Sequence, residues 1–106
     1  MAVADYPAEG QPPEVQAAFD QLRERFVAGL PQRWQAIEAA GSGPALEAAL
    51  HRLVGAAASY GLGPLGEAAR RAEQLASVPS PAPADALAGA LAELRRWVDA
   101  AAVTVR

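Results

Sequence analysis

The sequence predicts an all-α protein, an antiparallel up-down-up-down four-helix bundle with a short N-terminal extension. Apolar residues recur at three- and four-residue steps in each long segment, no segment alternates as a strand does, and Gly and Pro punctuate the chain between the helical stretches. With 106 residues the chain makes one domain, large enough to bury about two-thirds of its extended surface without staples.

The domain boundary falls at residue 12. Residues 1–12 carry Pro7, Gly10 and Pro12 with little periodicity, and read as a tail or short segment that docks at one end through Tyr6. Residues 13–106 make the bundle. From Pro13 onward, Val15, Phe19, Leu22, Phe26, Leu30, Trp34 and Ile37 form one apolar stripe. Pro31 lacks an amide hydrogen and crowds the carbonyl four residues back, which predicts that the helix kinks there or divides in two; the apolar phase passes through it without a slip, which favours the kink.

Gly41-Ser42-Gly43-Pro44 closes this first helix, Gly41 suiting a left-handed cap and Pro44 the first turn of the next. The second helix runs from about Pro44 to Tyr60, burying Leu46, Leu50, Leu53, Ala57 and Tyr60, and Gly61 stops it. Gly63-Pro64 opens the third, whose face of Leu65, Ala68, Ala69, Ala72, Leu75 and Ala76 permits close packing while Glu67, Arg70 and Arg71 meet solvent. Residues 78–83, rich in Pro, read as an extended connection, with Ser80 or Asp85 capping the last helix. The last stripe is Leu87, Leu91, Leu94, Val98, Ala101 and Val105, with Arg95, Arg96 and Asp99 outside it.

Composition narrows the function. The absence of Cys excludes disulfides and thiolate metal sites and agrees with a reducing compartment. No apolar run reaches the length of a membrane span and residues 1–10 lack a signal pattern, so the expected location is cytoplasmic, away from membranes. A net charge of −3 and a pI near 5.0 argue against a nucleic-acid partner. Every basic residue is Arg, which with abundant Ala, Gly and Pro fits a GC-rich bacterial genome. The expected state is a monomer.

His51, the one histidine, is the candidate for chemistry. It lies off the buried stripe, on a line with Glu47, Gly55 and Ala58, where the next turns carry almost no side chain. Gly inside a helix costs roughly 1 kcal/mol against Ala, so Gly55 asks for a reason, and close approach of another surface is one. One His among scattered carboxylates offers no metal-ligand spacing, and Ser59 faces elsewhere, which removes a Ser/His/Asp site. Gly61-Leu62-Gly63 lacks the following Lys-Ser/Thr of a phosphate loop, so phosphorylation from ATP by this chain alone is not expected.

The run from His51 through Arg52, Leu53, Val54, Gly55, Ala56, Ala57, Ala58, Ser59 and Tyr60 to Gly61, followed by Leu65 and Glu73, resembles the signature of histidine-containing phosphotransfer domains. The match is densest from Leu50 to Glu73; Val54 stands where the family usually has Lys. The resemblance implies that His51 accepts a phosphoryl group from the aspartyl phosphate of a response-regulator receiver domain and passes it to another receiver. The chain would be a phosphotransfer carrier without kinase activity of its own, downstream of a hybrid sensor histidine kinase. It would bind no cofactor, the receiver bringing Mg²⁺. Docking would use Val54, Gly55 and Ala58 with a contribution from the N-terminal helix, Arg52 and Arg70 being the nearby cations.

Glu73 occupies the place where related domains often put a Gln or Glu that bonds the imidazole. The corner at residues 61–64 returns the chain so that residues equally far from Leu62 lie side by side, and His51 and Glu73 are each eleven residues away. The plainer role for Glu73 is a surface pair with Arg70 one turn earlier. Val54 also motivates a different class of function, a non-catalytic adaptor that binds a receiver or kinase without being phosphorylated. A kinase-associated input domain separated from its catalytic partner would keep the same acceptor with another donor.

Overall fold

The computed structural model describes residues 12–77 and 84–105, so the tail proper, the Pro-rich connection and the Ser80 cap lie outside the described residues. The described chain is helical: α1 (Pro13–Ala28), α2 (Leu30–Ala40), α3 (Gly43–Ser59), α4 (Gly63–Ser77) and α5 (Ala84–Val105). Pro13, Pro31, Pro44 and Pro64 all fall in the first turn of a helix, where a missing amide hydrogen costs no intrahelical bond. Asp85 sits inside the first turn of α5, where its charge complements the helix dipole.

The long first helix divides in two, the less favoured of the two expectations, and does so at Gly29 and not at Pro31. Gly29 donates its amide hydrogen to the carbonyls of Arg25 and Phe26 at 3.1 Å each and accepts from Arg33 at 3.1 Å, so helical bonding nearly spans the joint. Pro31 cannot donate back to Val27, and the chain relaxes two residues earlier, at the position with no side chain to hold it. α1 and α2 together make the first arm of a four-helix bundle. α2 packs on α3, α3 on α4 and α4 on α5, and α5 closes the ring against α1 and α2.

Two glycine corners set the topology. At Gly41 (φ 72°, ψ −71°) Ser42 donates to the Ala40 carbonyl at 2.8 Å, a γ-turn in place of the expected left-handed cap. Past α3, the Leu62 amide donates to Ala57 at 3.0 Å and the Gly61 amide to Ala58 at 3.2 Å, the paired bonds of a Schellman motif. Gly61 has φ +71° and open space where a β-carbon would stand, so Gly61→Ala meets no clash and costs only the backbone strain. The expected loss is about 1 kcal/mol, a Tm lower by roughly 4–8 °C in a thermal melt.

The core is filled by Phe26, Val27, Leu30, Trp34 and Ile37 from the first arm, Leu46, Leu50, Leu53 and Ala57 from α3, Leu65, Ala68, Ala69 and Ala72 from α4, and Leu94 and Val98 from α5. Ala76, Leu87, Leu91 and Ala101 border it half-buried, as does Tyr60, and Leu75 is also half-buried. The first three residues of the expected opening stripe do not join it: Val15, Phe19 and Leu22 stay 49%, 38% and 47% exposed. Their helix extends past the α3–α4 corner. Tyr60 marks that end of the bundle, its ring 5.1 Å from Phe26 and 6.0 Å from Phe19, its carbonyl accepting from Arg23 Nε at 3.1 Å. Among the described residues no helix is long and apolar enough to cross a membrane.

Candidate functional site

The site forms where α3 and α4 run side by side. Small residues line that seam, and a β-carbon added to Gly66 would lie only 3.5 Å from that of Ala57. With the backbones this close, facing positions fall into register. His51 Nδ1 lies 2.8 Å from Glu73 Oε2, and one turn away Ser77 Oγ lies 2.8 Å from Glu47 Oε2. The two rungs pair residue 51 with 73 and residue 47 with 77.

An ionised carboxylate only accepts hydrogen bonds, so in the neutral imidazole Nδ1 carries the hydrogen and donates to Glu73, leaving Nε2 with its lone pair. The His51 side chain is 75% exposed while that of Glu73 is 21% exposed. An exposed imidazole thus stands beside a more protected carboxylate placed to accept from its Nδ1. Glu73 makes no ion pair with Arg70 among the described residues.

Around this ring the surface is low. Gly55 is exposed, and an added β-carbon there would meet nothing within 4 Å. Ala58, one turn further, is also exposed. No packing among the described residues therefore accounts for glycine at 55. Val54 is half-buried against the core, part of the bundle's wall and without charge.

Neither candidate cation joins the site. Arg52 is exposed and about 100° around α3 from His51. Arg70 is exposed on α4 and, carrying the register on by three residues, level with Val54. Helical side chains lean toward the N-terminus of their own helix, which on α4 carries Arg70 away from His51. Neither Arg makes a hydrogen bond or ion pair among the described residues. Arg71, expected in solvent alone, donates to Glu93 at 2.8 Å and ties α4 to α5.

Glu47, placed on the His51 line by the sequence but given no role, and Ser77, which sequence reasoning passed over, border the site. The signal for both is present, since each lies one helical step of four residues from a candidate, Glu47 before His51 and Ser77 after Glu73. The Ser77 hydroxyl also lies 2.8 Å from the Glu73 carbonyl oxygen, so its single hydrogen serves two acceptors.

A comparison with curated proteins gives no match, and neither does one with solved structures. The family model for the Hpt domain matches residues 21–102, from within α1 to near the end of α5. A match over residues 21–102, most of the bundle, shows that the chain belongs to the Hpt domain family, whose general role is histidine phosphotransfer in phosphorelays through contacts with receiver domains and kinases.

Proposed function

We propose that His51 is the phosphoacceptor of a relay that takes a phosphoryl group from a receiver aspartyl phosphate and delivers it to a second receiver. The observation that carries this is the 2.8 Å contact between Nδ1 and Glu73, which directs the Nε2 lone pair to solvent. In the forward step Nε2 attacks phosphorus in line; the N–P bond forms as the P–O bond to the aspartyl carbonyl group breaks, returning a carboxylate. The ring keeps its Nδ1 hydrogen and becomes cationic, and the Glu73 carboxylate offsets that charge. In the onward step a carboxylate oxygen of the next receiver attacks and the electron pair returns to Nε2. Such loose transfers depend on alignment and charge neutralisation, and the receiver supplies Mg²⁺ for the latter. A hybrid sensor kinase upstream and a monomeric, cytoplasmic carrier complete the proposal.

Incubation with a phosphorylated cognate receiver and Mg²⁺ should transfer acid-labile, base-stable label to the protein, and ATP alone should give none. Binding without label from any receiver would instead favour the adaptor, the reading that Val54 keeps open.

The docking face proposed is the low ground of Val54, Gly55 and Ala58, joined by α1. Gly55 gives a discriminating test because its surroundings are empty. Gly55→Leu should stabilise the free protein by up to about 0.8 kcal/mol through helix propensity, yet weaken receiver binding at least tenfold by lifting the partner off His51. Arg96→Leu, on the exposed side of α5, serves as the comparison. Equal losses of affinity in the two variants would move the docking face elsewhere.

A further inference from the structure

We infer that Glu47, held by Ser77, raises the energy of phosphorylated His51 and so favours release of the phosphoryl group to a receiver carboxylate; this rests on His51 being the acceptor. Glu47 lies one turn before His51 on the same face of α3, a spacing that puts β-carbons about 5–6 Å apart. His51, like any helical residue, leans toward that turn. Ser77 Oγ at 2.8 Å holds the half-buried Glu47 carboxylate against α4, one helical turn from His51. Without that tether a flexible Glu would swing into solvent, where its charge is screened.

The charges near the ring are one-sided. Glu73 and Glu47 are both carboxylates, Val54 is neutral, and neither Arg52 nor Arg70, both exposed, pairs with a carboxylate among the described residues. Glu73 meets the Nδ1 side, where the ring becomes positive on phosphorylation, so its charge is favourable. Glu47 has no such partner on the ring. Its charge lies one helical turn from a group that gains negative charge when the N–P bond forms, and like charges repel. The repulsion is relieved when the N–P bond breaks, with the phosphoryl group passing to a receiver carboxylate oxygen and the electron pair returning to Nε2.

Glu47→Gln removes the charge and retains an amide able to bond Ser77, so the fold and the docking surface should persist. The equilibrium between labelled receiver and labelled carrier, measured with purified proteins and Mg²⁺, should shift about two- to fivefold toward the carrier. The phosphohistidine half-life in the isolated carrier should lengthen, and added salt should narrow the gap between variant and parent. Ser77→Ala should shift the same equilibrium in the same direction by less, because it frees the carboxylate without removing it. Asp99→Asn removes an exposed charge from α5, a helix that does not pack on α3, and should leave the equilibrium unchanged. If parent and Glu47→Gln both take label and share one equilibrium constant, the inference is wrong although the relay stands. If neither is labelled by any receiver that binds, the relay itself fails, and this inference with it.

Discussion

His51→Gln should abolish transfer, reducing label from a phosphorylated receiver to the background of a protein without histidine. The change is total because no other described side chain offers an imidazole nitrogen, and the chain has one histidine. Stability should hold within about 0.5 kcal/mol, since the His51 side chain is largely exposed and the Gln amide can still donate to Glu73. Circular dichroism and a thermal melt check the fold, and receiver affinity should stay near the parental value. Label persisting on His51→Gln would place the acceptor on another residue and overturn the proposed chemistry.

The second large effect is expected at Glu73. Removing the acceptor of the Nδ1 hydrogen frees the ring to rotate and to exchange tautomers, and takes away the charge that offsets the cationic phosphorylated ring. Supporting carboxylates of this kind commonly contribute ten- to a hundredfold, so Glu73→Ala should slow phosphorylation of His51 by roughly tenfold or more. Receiver affinity should change little, because Glu73 lies in the seam below the docking ground. Glu73→Gln should retain part of the rate, its amide oxygen still accepting from Nδ1. Stopped-flow transfer under saturating receiver separates the two constants. A parental rate in Glu73→Ala would end the orienting role, and a parental rate with lost affinity would make Glu73 a docking residue.

Much of this arrangement is legible in the sequence because α3 and α4 are joined by so short a corner. Gly61 fixes the end of α3, Pro64 the start of α4, and a tight return leaves little choice of register, so the meeting of His51 with Glu73 follows from counting. The same count pairs Glu47 with Ser77. Ser77 is easily missed because it closes α4 beside a Pro-rich run, where it reads as the end of a helix. Periodicity serves less well in α1. The spacing of Val15, Phe19 and Leu22 defines an apolar face correctly, but whether a face is buried depends on the length of its neighbours, and the α3–α4 corner stops short of it. The displaced joint has a local cause: proline disturbs the turn before itself, and glycine decides where that turn gives way.

The seam between α3 and α4 bears on the economy of signalling. Ala57, Gly66, Ala69 and Ala72 have no side-chain torsions to change, so the spacing across the seam is set by backbone against backbone. A carrier built this way presents the same nitrogen, at the same height, to whichever partner arrives. The traffic through it is then a matter of supply and demand: which receiver is phosphorylated, how abundant each is, and how readily each holds its own phosphate.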